Sequence, residues 1–292
     1  MPHLAILLST LIWGATFPAT KAVLAQTPPF SYLFLRFLLG TLVVLALLLA
    51  VRRMVPADRA LVRMGVVAGC WLFVGYTLQT IGLQFTTVAN SAFLTILYVV
   101  LVPLFLRRFG VQTWLSAGLA VLGVWLLMDP RVSLNWGDVL TLASAAAFAA
   151  HIICLERFAP RADPGPLLLW QLVVMVPAFG LAMVVEAPAV EAFRPTPVLV
   201  LALLVTGVLA TGALGIQVWA QRRLPAPVVA LLFSIEPVVA AWLAWVFLGE
   251  RLGTLGWMGS AIILAAVVLG CLPRRAPAPA LARAAGEVRS TF

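Results

Sequence analysis

Residues 225–247 read PAPVVALLFSIEPVVAAWLAWVF. The run holds one ionisable side chain, Glu236, and any helix it formed would be apolar on all sides. At about 1.5 Å per residue, 23 residues reach about 34 Å, enough to cross a hydrocarbon core of roughly 30 Å. A surface helix of a soluble domain would show one polar face, so this stretch reads as a membrane span.

Working outward, nine similar runs lie at 4–24, 30–51, 62–83, 88–106, 113–128, 137–156, 165–186, 197–218 and 254–272. Ten spans use most of the 292 residues and leave nothing large outside a membrane. Composition agrees, with 63% hydrophobic residues, 10% charged residues and a mean hydropathy of +1.10. A soluble domain carries about 25% charged residues, so a water-soluble enzyme of this length is excluded. Period-2 alternation is absent, which excludes a transmembrane barrel. The expected fold class is therefore all-α, a polytopic membrane protein with ten transmembrane helices. The run 113–128 is the shortest and is expected to borrow Gln112 or Asp129 and Pro130 at its ends. The first run lacks a basic segment before Leu4 and a small-residue cleavage site after it, so it is expected to be a retained span, not a signal peptide.

Basic residues give an independent test of the count. With the N-terminus in the cytoplasm, 14 arginines fall inside: Arg52, Arg53, Arg59 and Arg63, the pairs Arg107-Arg108 and Arg222-Arg223, Arg157 and Arg161, and four after residue 272. Only Arg131, Arg194 and Arg251 fall outside, while Lys21 and Arg36 lie within spans. This bias predicts an even number of spans with both ends cytoplasmic. The net charge of +9 consists of these topology signals and forms no basic face for a phosphate backbone, so no nucleic-acid partner is expected. Residues 273–292, rich in Pro, Ala and Arg, read as a disordered cytoplasmic tail.

The halves echo each other. WGATFPATK at 13–21 aligns with FAAHIICLE at 148–156, and LRFLLG at 35–40 with WQLVVM at 170–175, which lays Arg36 over Gln171. LQFTTVANSAF at 83–93 follows over AQRRLPAPVVA at 220–230, then FLRRFGVQTW at 105–114 over FLGERLGTLGW at 247–257. Four echoes in one order indicate a duplication, residues 1–131 and 132–272. Each copy holds five spans, an odd number, so the second must enter the membrane in the opposite sense. Two inverted repeats around a shared cavity can open alternately to either side.

These residues carry a family resemblance. WGATFPATK, and above all SIEPVVAAWLAWVFLGERLG at 234–253, resemble the opening-span and ninth-span motifs of the drug/metabolite transporter superfamily, specifically its EamA-type permeases. The stretch 76–108 also looks like that family's third and fourth spans. The resemblance covers residues 4–272 and departs where Arg107-Arg108 replace the Gly-Glu pattern in the first half. It implies a multi-pass protein of a bacterial inner membrane that moves small metabolites by alternating access, with the cargo left open.

Glu236 lies near the middle of its span, where a lipid-exposed carboxylate is costly, so it should face the bundle interior and hold a proton or meet a donor. A helix-helix hydrogen bond is the structural alternative. Pro237 beside it and Pro103 in span four are expected to let helices bend. His151 is a second candidate for proton coupling, or simply an interhelical donor. Lys21 and Arg36, near the outer ends of their spans, are candidates for an anion contact or a lock, with snorkelling as the alternative for Lys21. Gln79, Asn90, Thr95, Tyr98, Gln171 and Ser234 supply uncharged polar groups, as does Gln217. Trp13, Phe17, Phe148 and Trp170 supply candidate aromatic walls, whereas Trp136, Trp219 and Trp257 fit an interfacial belt better.

Three isolated cysteines and two histidines offer no metal site. Walker, HExxH, GxSxG and EF-hand patterns are missing, so no cofactor, catalytic residue or nucleotide-driven subunit is indicated. The reading that results is a secondary transporter of a small polar or amphipathic solute, an exporter by preference, with lipid and protons as further partners. A non-transporting scaffold or membrane-intrinsic enzyme is the alternative, and an enzyme would need clustered nucleophiles or carboxylates that the chain lacks.

Overall fold

The computed structural model describes residues 1–53, 55–127, 135–186, 193–248 and 253–272, and among these there are helices and no strands. With no water to bind free N–H and C=O groups in a bilayer, uninterrupted apolar sequence satisfies its backbone by coiling on itself. Span one is α1, Pro2–Val23; span two is α2, Pro29–Ala50; span three is α3, Arg59–Phe85. Span four divides into α4, Val88–Thr95, and α5, Tyr98–Phe105; α6, Val111–Leu127, is the short fifth span. Then come α7, Trp136–Phe158, and α8, Pro164–Glu186, as spans six and seven. Span eight comprises α9, Pro197–Leu203, a π-helical turn over 204–209, and α10, Ala210–Ala220. Span nine divides into α11, Ala226–Phe233, and α12, Glu236–Leu248, and α13, Thr254–Cys271, is the tenth. Nine of these stretches are long and apolar enough to cross a membrane, and Val111–Leu126 is a shorter tenth. The loop residues Arg131 and 249–251 and the expected tail 273–292 lie outside the described residues.

Local sequence sets the ends. Asp58 accepts from the backbone N–H groups of Ala60 and Leu61, both at 3.0 Å, and Asn135 and Asp138 form a capping box on α7. Spans two and four each stop with an arginine in the left-handed region, Arg52 and Arg107, both at φ 52°. The next residue then bonds back five positions, Arg53 N to Leu48 O and Arg108 N to Pro103 O, each at 2.9 Å.

Small residues fix the packing. A Cβ on Gly69 would lie 2.7 Å from the Gln171 carbonyl, and one on Gly207 would lie 3.1 Å from the Arg36 carbonyl. Arg36 and Gln171 are the pair that the sequence repeat superposes, and Gly69 and Gly207 are related by a closely similar offset. The same span-three-on-span-seven contact therefore recurs as span eight on span two. Buried apolar side chains form two principal clusters, one around Tyr98, Val229 and Phe233, the other around Tyr32, Phe37, Leu172 and Phe179. Trp13 and Phe148 pack against both.

Candidate substrate cavity

Between the two clusters lies a cavity of about 50 Å³. A water molecule needs about 10–15 Å³ measured this way, so the space as it stands admits a few waters and no metabolite.

The broken spans build one wall. Interruptions at 96–97 and 234–235 start new helices inside the membrane, and Tyr98 and Glu236 are the first residues of α5 and α12. The Tyr98 hydroxyl donates to Glu236 Oε2 at 3.2 Å, and both side chains are buried. A carboxylate in the first turn also meets the positive end of the α12 dipole. Span nine breaks at Ser234-Ile235, so Pro237 falls in the first helical turn, where its missing N–H costs nothing. Span four breaks upstream of Pro103, which sits inside α5.

Amides and an imidazole line the rest. Gln79 Nε2 donates to Thr95 Oγ1 at 3.0 Å, and Thr95 donates onward to the Ser91 carbonyl at 2.7 Å. His151 Nε2 is 2.9 Å from Gln171 Oε1, while Gln171 Nε2 donates to the Leu167 carbonyl at 3.1 Å. Gln217 Nε2 donates to Gln221 Oε1 at 2.9 Å, which leaves the buried Gln217 Oε1 without a partner among the described residues. Glu236 and Gln217 both line the cavity. Its aromatic wall has Trp13 against Phe233 with centroids 4.7 Å apart, and Tyr76 edge-on to Phe148 at 5.2 Å.

Arg36 stands behind Tyr76, its guanidinium carbon 4.4 Å from the ring centroid. Its Nε donates to the Thr206 carbonyl at 3.1 Å, in the π turn, a feature that recurs at functional sites. Among the described residues no carboxylate pairs with it.

Of the residues singled out in the sequence, Trp13, Gln79, Thr95, Tyr98, Phe148, His151, Gln217 and Glu236 line this cavity. Gln171 stands one shell out, holding His151. Phe17 packs instead with Ala92 and Ala240, Trp170 donates Nε1 to the Pro56 carbonyl at 3.1 Å, and the Ser234 hydroxyl bonds back to Leu231 O at 2.6 Å. Tyr76 was not among the sequence candidates, although its place one helical turn before Gln79 was a signal that could have found it.

The ends of the bundle are held by polar clasps. Lys21 Nζ donates to the carbonyls of Leu83 at 2.6 Å, Gln84 at 3.3 Å and Thr86 at 2.9 Å, fastening α1 to the end of α3. Asn90 belongs here too: its Nδ2 is 3.5 Å from Asp138 Oδ1, which also accepts from the Thr86 hydroxyl. At the opposite end Arg108 pairs with Glu156 at 2.8 Å, Arg53 with Asp163 at 2.6 Å, and Gln221 Nε2 donates to the Ile152 carbonyl at 2.9 Å. The Lys21 and Glu156 positions coincide in the sequence repeat.

A fold of broken spans and repeated interfaces around a polar-aromatic cavity defines a polytopic all-helical membrane protein. The profile of the EamA-like transporter family matches residues 1–129 and 135–270, and the chain belongs to that family. An uncharacterized transporter of Archaeoglobus fulgidus is 30% identical over 276 residues, covering 91% of this chain and 84% of its own length. The uncharacterized inner membrane transporter YedA of Escherichia coli K12 is 26% identical, with 89% and 87% covered. One solved crystal structure shares the fold with a TM-score of 0.76 at 21% identity, over 92% of this chain and 96% of that one.

Proposed function

We propose that this protein is a secondary transporter that exports a small amphipathic solute bearing a protonated amine, in exchange for a proton. Membership of a transporter family supplies the class, and the cavity supplies the cargo chemistry. The observation that carries the reading is the buried Glu236 carboxylate in one space walled by the aromatic rings of Trp13, Tyr76 and Phe148. A carboxylate acceptor there suits an N–H-rich cation, and aromatic faces attract one as well. A carboxylate in this setting must meet either a proton or a cation. Glu236 would hold the cargo's ammonium in one half of the cycle and a proton in the other, with Tyr98 as its fixed donor. His151, held by Gln171, would orient the opposite side.

In this reading residues 1–131 and 132–272 act as two units that rock about the cavity. The chain sits in a bacterial inner membrane with both termini cytoplasmic, as the arginine distribution favours. Lys21 then clasps the outer end, and Arg108 with Glu156 the inner end. Counterflow into proteoliposomes, with a panel of labelled amino acids, cationic dyes and sugars, tests the proposal. Amine-bearing solutes should exchange and sugars should not; no exchange across the panel overturns it.

A further inference from the structure

A groove of about 700 Å³ runs along the outside of the bundle between α2 and α10, floored by α1 and α8. Near the middle of α2 the two spans touch, with Gly40 against Thr211 of α10 and Gly207 of the π turn. Beyond that crossing the groove opens, walled by Val44, Leu47, Leu168 and Val208, and ends at Trp219. From Val208 to Trp219 is about 17 Å of helix rise, the depth of one leaflet of a bilayer core of roughly 30 Å. The repeat-related interface, α3 on α8, has no such gap: Gly65 and Gly69 there close onto Trp170 and Gln171. A Cβ placed on Gly212, within the groove, would meet nothing within 4 Å.

Charge marks one end. Arg223 stacks on Trp219, its guanidinium carbon 5.6 Å from the ring centroid, and Arg222 beside it is exposed. The ion pairs among the described residues involve neither of them. We propose that this groove is a binding site for one anionic phospholipid, an acyl chain lying along Gly212 and the phosphate resting on Arg222 and Arg223. In the orientation proposed above, on which the choice of leaflet rests, it is a lipid of the cytoplasmic leaflet. The chain would wedge between span two of the first repeat and span eight of the second.

Native mass spectrometry of the purified full chain, titrated in detergent with phosphatidylglycerol or phosphatidylcholine, tests the site without any transport measurement. The expected result is one retained lipid with a preference for phosphatidylglycerol of about fivefold per arginine engaged. Gly212→Phe, filling open space, should remove the adduct of either lipid at an unchanged melting temperature. Arg222→Gln combined with Arg223→Gln should keep an adduct and lose the preference. Equal binding of the two lipids by the unaltered chain overturns the proposal, as does an adduct that survives Gly212→Phe. So does a dimer that Gly212→Phe dissociates, which would make a second copy the occupant.

Discussion

Tyr98 and Glu236 each begin the second half of a broken span, and the hydroxyl of the first donates to the carboxylate of the second at 3.2 Å. They come from opposite halves at nearly equivalent positions, so the proposed movement of one half against the other would change their separation. In the proposed alternating-access cycle this hydrogen bond would tie the carboxylate's environment to the conformation.

Replacing Glu236 by Gln keeps an acceptor for Tyr98 but removes the charge. Loss of a buried charge partner costs upward of about 2 kcal/mol, so affinity for an amine-bearing cargo should fall by at least about thirtyfold. Net transport driven by a pH gradient should lose its dependence on that gradient. Parallel counterflow and gradient-driven assays check this, and an unaltered pH response in Glu236→Gln would remove the coupling role.

Lys21→Met should loosen the end of the bundle where three carbonyls now converge on the ammonium. A cysteine placed at Thr16, beside the cavity, should then react faster with an impermeant maleimide from the face opposite the termini. Equal labelling with and without Lys21 would show that this clasp does not gate.

At the other end the Arg108–Glu156 pair is partly exposed, so Glu156→Gln should lower stability by no more than about 1 kcal/mol. Its effect should appear in access instead. The same Thr16→Cys reporter should label faster from the side of the termini, opposite to the Lys21 variant.

Gly69→Val and Gly118→Ala should separate packing from helix propensity. A side chain at Gly69 meets the Gln171 carbonyl at 2.7 Å, whereas one at Gly118 meets nothing within 4 Å. Overpacking of that kind costs about 1–3 kcal/mol, so Gly69→Val should lower the melting temperature in detergent. Gly118→Ala should stay within about 1 kcal/mol of the unaltered chain.

Hydropathy alone revealed the all-helical membrane fold, because a bilayer leaves an apolar segment of this length no other way to satisfy its backbone. The sequence offered a repeat that lays Arg36 over Gln171, and in the fold a glycine of a neighbouring span closes onto the backbone carbonyl of each. Glu236 stood out by its cost in lipid. What the sequence could not place were contacts between distant spans. Asn90 and Lys21 read as cavity or anion residues but tie down a helix end, because a polar side chain in a span takes whichever unpaired backbone group or carboxylate comes within reach. Trp170 looked like a cavity wall for the same want of a partner. The breaks at 96–97 and 234–235, the π turn and a central cavity of only about 50 Å³ belong to the tertiary structure. They depend on which faces of ten nearly uniform apolar helices meet, and a helix apolar on all sides does not encode which side that will be.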